Sequence, residues 1–493
     1  MRAGEGASPT GPPTPYGPQP TAHSLHYSLR PTASLRACGG RLTSAARPVE
    51  PFPMERWIGV GGLFGLMGLA WAVSAHRRRI QWRTVIGGLG LQFVLAVLVL
   101  RVDAVRRVFD SVAVVITRVL RFTDQGTEFI FGALTDNQAL GQALYGEPNA
   151  GLAFIFAFKV LPVIIFFASL MGVLYHLGVM QRLVEGMAWL MTRTLRVSGA
   201  ESLAMSANVF VGQTEAPLVI KPYISVMTRS ELMALMTGGF ATIAGSVFGF
   251  YVSLLGGDDP QQQAEFAKHL LTASLMSAPA AFVIAKIMIP ETEESQTAGF
   301  VKVRFERTTI NVIDAASSGA ADGLKLALNV AAMLLAFIAL IALVNYPLEQ
   351  LGQWGPVHEF LADRGVEKLT LSVLLGWLFS PLAWLMGVPW EDAGQFGGLL
   401  GEKIVATELI AFNSLHTIML SDDPMSYRSK VMASYALCGF ANFGSIAIQI
   451  GGIGGIAPDR RRDLAALGLR AMLGGALATW MTATIAGILW VPG

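Results

Sequence analysis

The segment Asn208-Val209-Phe210-Val211-Gly212-Gln213-Thr214-Glu215-Ala216-Pro217 places two amides, a hydroxyl and a carboxylate in a stretch that is otherwise apolar. An ionisable side chain at membrane depth costs about 2.5–3.5 kcal/mol on insertion scales, so it faces a cavity or a partner and marks a pathway. Gly212 and Pro217 fit a local break in a helix, which frees backbone amides and carbonyls to hold a ligand or an ion. The competing reading of Glu215 is a carboxyl that pins two helices together. Glu408 sits in a second such stretch and makes the same argument from the other half of the chain.

The chemistry these groups suit is the binding of a polyhydroxylated ligand together with a cation. A carboxylate only accepts, and it can take bonds from two vicinal hydroxyls, as on a ribose. Asn442 and Ser445 are three residues apart and share a helical face, adding an amide and a hydroxyl. Phe440 either covers an aromatic base or sugar face or simply packs. A cation needs oxygen ligands. Asn208, the Val211 carbonyl, the Thr242 hydroxyl and the Ile243 carbonyl can supply them if the chain is distorted after Ala241. The competing role for Thr242 is a hydroxyl bonded back to its own helix.

The elements that position these groups lie in lipid. Apolar residues make up 53% of the chain and charged residues only 14%, and the mean hydropathy is +0.51. A soluble chain carries roughly 25% charged residues. Eight stretches are long and apolar enough to span: 57–75, 84–101, 152–176, 231–256, 268–289, 323–345, 429–451 and 467–491. With the N-terminus outside, the basic loops 76–83, 179–197 and 458–463 fall on the cytoplasmic side. Asp258-Asp259 and Asp422-Asp423 then fall outside, and 101–123 reads as an amphipathic interfacial helix. Residues 179–196 and 371–388 also read as interfacial. Residues 199–227 and 391–425 are broken by polar residues, Gly and Pro, and are expected to be re-entrant hairpins, because irregular backbone at membrane depth must be buried or line a wet cavity.

The two hairpins belong to a repeat. Thr214-Glu215 is followed by Arg229-Ser230, Met233-Ala234 and Gly239-Phe240-Ala241-Thr242. Thr407-Glu408 is followed by Arg428-Ser429, Met432-Ala433 and Gly439-Phe440-Ala441-Asn442. Each unit reads as interfacial helix, broken hairpin, long helix and final helix, and the topology makes the copies inverted. Paired, interrupted apolar segments in corresponding positions point to the binding site of a secondary transporter.

Other features exclude alternatives. The net charge of +2 argues against nucleic-acid binding. Cys38 and Cys438 give neither a disulfide framework nor a metal spacing, and His176 and His416 are isolated. The glycine run 451–455 lacks a nucleotide-binding setting, no Walker motif is present, and no catalytic domain supports an enzyme. Lys159 either snorkels or pairs. Residues 1–53 are rich in Pro, Gly, Ser and Thr, and are expected to be a disordered leader or a mis-called start ahead of Met54.

From about Trp57 to Trp490 the chain resembles the concentrative nucleoside transporters. The resemblance rests on Leu161-Pro-Val-Ile-Ile-Phe-Phe167, on Asn208 to Pro217 and on Cys438-Gly-Phe-Ala-Asn-Phe-Gly-Ser445. It implies an all-α polytopic protein of the bacterial inner membrane that imports nucleosides, coupled to sodium or alternatively to protons. It also implies a homotrimer in which a transport domain moves like an elevator against a scaffold. The scaffold would comprise 54–178 and, with a linker, 290–370; the transport domain would comprise 179–289 and 371–493. By resemblance Gln213 and Thr214 bind the base, with Glu215 in support. Glu408, Asn442 and Ser445 hold the ribose, and Val247 and Phe440 line the pocket. Asn208, Val211, Thr242 and Ile243 match the sodium site. Thr242 stands where serine is common, and Thr407 where asparagine usually precedes the second glutamate.

Overall fold

The computed structural model describes residues 54–136, 140, 142–143, 155–159, 161–257, 259–297, 299, 309–363, 366–421 and 424–490. The leader 1–53, Asp258, Asp422 and Asp423 lie outside these residues, as does the start of the span expected at 152. The described residues are helical, with no strand among them.

Ahead of the first repeat come α1 (Met54–Ala72), α2 (Trp82–Arg101), α3 (Asp103–Phe131) and α4 (Leu161–His176). The interfacial reading of 101–123 corresponds to α3, a long amphipathic helix. The first repeat follows as α5 (Val179–Leu195), α6 (Gly199–Asn208), α7 (Arg229–Ala241), α8 (Gly245–Gly256) and α9 (Pro260–Met288). Between α6 and α7 lie a single turn, Ala216–Val219, and a 3-10 segment, Lys221–Val226. Next are α10 (Val312–Gly352) and α11 (Gly355–Ala362). The second repeat is α12 (Leu371–Leu385), α13 (Trp390–Val405), α14 (Glu408–Leu420), α15 (Tyr427–Leu437), α16 (Phe443–Ile456) and α17 (Arg461–Leu489).

The repeat is therefore visible element by element. α6 with 216–226 corresponds to α13 with α14, α7 and α8 to α15 and α16, and α9 to α17. Local chemistry explains where the helices start. Ser198 with Glu201, and Thr228 with Glu231, form complete capping boxes at α6 and α7. Thr370, Thr407, Ser426 and Asn442 cap α12, α14, α15 and α16 by accepting a backbone N–H.

The count of spans differs from the eight expected. Five helical segments among the described residues have the length and composition to cross a membrane, or six if the bent pair α12 and α13, at 118°, counts as one. Two causes account for the three missing spans. The stretches 231–256 and 429–451 are each split, at 242–244 and at 438–442, into two helices too short to span alone. α1 begins with Glu55 and Arg56, which dilute its apolar window. The expected interfacial segment 371–388 is α12, which packs closely along α13.

The repeats build the centre of the molecule. In the spans of α9 and α17, 89% of residues are buried, against 11% for α10, which lies on the outside along α4. The base of the first hairpin is fastened to α9 by a buried ion pair, Lys286 Nζ to Glu201 Oε2 at 2.7 Å, with Ser230 Oγ 3.0 Å from the same ammonium. The two split helices meet at their breaks. Gly439 has φ +141°, and a Cβ there would stand 2.6 Å from the Phe240 carbonyl oxygen. Only a glycine permits that approach with that backbone.

Candidate functional site

The breaks and the hairpin tips gather the polar residues. On the second half, Glu408 is 3% exposed and opens α14. Its Oε2 accepts from Asn442 Nδ2 at 2.9 Å and its Oε1 from the Tyr251 hydroxyl at 3.1 Å. Asn442 Oδ1 accepts from the Ser445 backbone N–H at 2.8 Å, so one amide both caps α16 and orients the carboxylate. Tyr251 is fully buried on α8, its ring 4.4 Å from that of Phe412. Val247 lies one turn before it, also buried, and Phe440, half-buried, precedes Asn442 in the break. Carbonyl and carboxylate acceptors with orienting donors on this scale match a hydroxylated ligand that must shed water to bind.

On the first half, Gln213 is 8% exposed and its Oε1 accepts from Gln449 Nε2 at 2.9 Å. The same Nε2 donates to the Met236 carbonyl at 3.1 Å. Both glutamines crowd against Gly239, where a Cβ would lie 2.7 Å from Gln449 Nε2. Thr214 faces α16 at Gly452. Glu215 is exposed, and its Oε2 accepts from the Gly212 N–H at 3.4 Å, so it folds back on its own turn.

The expected distortion after Ala241 is present. Thr242 and Ala244 are extended, and the Gly245 N–H donates to the Phe210 carbonyl at 2.9 Å, docking the helix break on the hairpin break. Ser274 Oγ holds the Val209 carbonyl at 3.0 Å from the other side. Asn208 is fully buried, and neither atom of its amide has a hydrogen-bond partner. A buried amide oxygen left unpaired is costly, and a cation held by Asn208 with neighbouring carbonyls would satisfy it. Val211, Thr242 and Ile243 surround the junction, each at most 6% exposed. Thr242 Oγ1 donates to the Gly238 carbonyl at 2.8 Å, so the hydroxyl is bonded back to its own helix while its lone pairs remain to ligate.

Two residues that sequence reasoning passed over belong to this arrangement. Gln449 lies at the spacing 442, 445, 449, which extends the helical face already chosen. Tyr251 lies four residues beyond Val247, and its apolar surroundings concealed its hydroxyl. His176 has a partner of its own, its Nδ1 pairing with Thr309 Oγ1 at 2.7 Å.

Thr407, where the resemblance implies asparagine, caps α14. Its Oγ1 accepts from the Ile410 N–H at 3.4 Å, the capping bond an asparagine side chain would also make. Thr407→Asn is therefore expected to leave thermal stability and uptake close to wild type. Thr407→Val, which keeps the shape and removes the cap, should lower stability by about 1 kcal/mol. Unfolding of the purified protein in detergent measures both.

Three family models cover most of the chain. A model described as "Na+ dependent nucleoside transporter C-terminus" matches residues 269–487, its N-terminal companion matches 61–134, and one described as "Nucleoside recognition" matches 157–258. An uncharacterized transporter of Haemophilus influenzae is 41% identical over 430 residues, which cover 87% of this chain and 96% of that protein. Sodium/nucleoside cotransporter 1 of Rattus norvegicus is 39% identical over 465 residues, covering 92% of this chain and 65% of that one. The chain spans 59% of the mouse solute carrier family 28 member 3, at 39% identity. Among solved structures, CNTnw in an inward-facing substrate-bound state is 41% identical, with a TM-score of 0.78 over 88% of this chain and 98% of that one.

Proposed function

The chain belongs to the sodium-dependent nucleoside transporter family, and from that premise we propose that it imports nucleosides by symport with sodium through an elevator-type movement. It is an integral membrane protein of a transporter family rather than of an enzyme family. The observation that carries the reading is the buried acceptor set of Glu408, oriented by Tyr251 and Asn442, set across the crossed helix breaks from Gln213.

In this reading Glu408, Asn442 and Ser445 take the ribose hydroxyls. Gln213 and Thr214 take the edge of the base, Glu215 supports them, and Val247 and Phe440 close the apolar walls. Sodium sits between the hairpin break and the α7–α8 break on Asn208, Val211, Thr242 and Ile243. Bound there, it would hold the two breaks in register and so raise nucleoside affinity. By linkage the nucleoside raises sodium affinity by the same factor. The two repeats form a transport domain, the remaining helices a scaffold, and three copies assemble in the bacterial inner membrane.

Uptake of radiolabelled uridine into proteoliposomes, under sodium and proton gradients imposed separately, tests the coupling. Saturable accumulation is expected only with an inward sodium gradient. It should lose its sodium dependence in Asn208→Ala. Uptake that follows pH and ignores sodium would instead establish the proton-coupled alternative.

A further inference from the structure

Away from the crossed breaks, the two arms of the second hairpin and the N-terminal turn of α12 enclose a groove of about 520 Å³. Its polar lining is Ser372, Glu391, Gln395, Glu402, Ser414 and Thr417, with no lysine, arginine or histidine among the described residues. Glu391, Gln395 and Thr417 are exposed at the mouth, Ser414 is half-buried, and Glu402 lies at the bottom, 7% exposed. The pattern follows from helix geometry, since 391, 395 and 402 share one face of α13, and 414 and 417 one face of α14.

Glu402 is the anomaly. One carboxyl oxygen accepts from Ser372 Oγ, while Oε2 is buried with only the Ser414 hydroxyl in reach and no cationic side chain lining the groove among the described residues. The adjacent Lys403 does not neutralise it. That ammonium points the other way, donating to the Ala436 carbonyl at 2.7 Å and to Thr479 Oγ1 at 3.0 Å. A buried carboxylate without a counter-charge is strongly disfavoured. Ser414 stands beside the same carboxyl, and Gln395 and Thr417 add oxygens along the path outward.

We propose that Glu402, Ser372, Ser414 and Thr417 form a monovalent-cation site in this groove, separate from the one proposed at Asn208. A single deep carboxylate among neutral oxygens suits sodium. Calcium sites usually gather several carboxylates, and here the second one, Glu391, is exposed at the mouth. The site depends neither on how the nucleoside is held nor on the Asn208 assignment.

Equilibrium binding of radiolabelled sodium to the full-length protein in nucleoside-free detergent tests it, with Glu402→Gln, Asn208→Ala and the double variant alongside wild type. Two saturable components are expected in wild type, each single variant losing a different one and the double variant losing both. Ser414→Ala should weaken the Glu402-dependent component about tenfold, the loss of one ligand oxygen. Unchanged binding by Glu402→Gln overturns the proposal, as does loss of all sodium binding in Asn208→Ala alone. Two components surviving in Asn208→Ala, with one lost in Glu402→Gln, would sink the Asn208 assignment and leave the groove standing. Displacement by calcium at lower concentration than by sodium overturns the monovalent assignment. Should Glu402→Gln elute aggregated, Ser414→Ala with Thr417→Ala decides, and undiminished sodium affinity in that folded protein rejects the site.

Discussion

Glu408→Gln is expected to abolish ribonucleoside uptake while the protein still inserts and assembles. The carboxylate sits between two donors, the Tyr251 hydroxyl and Asn442 Nδ2. A glutamine offers one oxygen and one NH2, so with its oxygen kept on Asn442 Nδ2 the NH2 turns the Tyr251 hydroxyl into an acceptor, and the site loses its charge and one acceptor oxygen. Asn442 is held in its orientation by the Ser445 N–H that starts α16, so its Nδ2 stays a donor toward residue 408. Bonds to a charged acceptor contribute about 1.5–3 kcal/mol each. Losing two toward the substrate, less what a single amide oxygen restores, gives about 3–4 kcal/mol, or a fall in uptake of roughly a hundred- to a thousand-fold at low substrate concentration. Initial rates of radiolabelled uridine uptake, normalised to folded protein, measure this. Wild-type rates in a well-folded variant would refute the ribose role. Tyr251→Phe removes one orienting donor only and should fall between, at about 1 kcal/mol.

Gly439→Ala should produce the second large effect, on folding rather than on binding. The new methyl would enter at 2.6 Å from the Phe240 carbonyl oxygen, where the neighbouring atoms are backbone and cannot rotate away. The residue also holds φ +141°, which side-chain-bearing residues avoid. Overpacking costs about 1–3 kcal/mol and a disfavoured backbone region a similar amount, so about 3–5 kcal/mol is expected. Size-exclusion profiles and unfolding temperatures in detergent would register it as lost or destabilised protein. Gly451→Ala is the control. It lies on α16 with nothing within 4 Å of a Cβ, and helix propensity alone should make it neutral or mildly stabilising. Equal loss in both variants would show that the crossing is not specially tight.

Much of this arrangement was legible in the sequence because membrane depth makes polar residues informative. Glu408 could not be an ordinary surface carboxylate and is buried, Glu215 by contrast is exposed, and the shared residues after each of them revealed the repeat. Asn442 and Ser445 were legible from spacing alone, and they do share one capping bond. What escaped notice followed from apolar context and from backbone. Tyr251 sits in Phe248 to Leu255, where an aromatic reads as packing. Gln449 is the sole polar side chain on its turn of α16, and its link to Gln213 spans 236 residues of sequence. The splits in 231–256 and 429–451 have no proline to announce them. The helix breaks at 242–244 just ahead of Gly245, whose N–H bonds to the Phe210 carbonyl of the hairpin, a long-range contact that no local pattern records.

The lysine that turns its back on Glu402 has an electrical consequence for the half-site around Glu408. Lys403 and Glu408 lie within electrostatic reach of each other in the same hairpin, both buried. With the amine protonated and the carboxyl ionised, the pair sums to zero. Carrying one elementary charge across a membrane potential involves about 2.3 kcal/mol per 100 mV. Displacing this pair together with a neutral nucleoside therefore does no net work against the field. Under the movement proposed above, the remaining buried charge of that hairpin is Glu402, which a bound cation would balance, and over a complete cycle the ratio of current to nucleoside flux counts the cations carried.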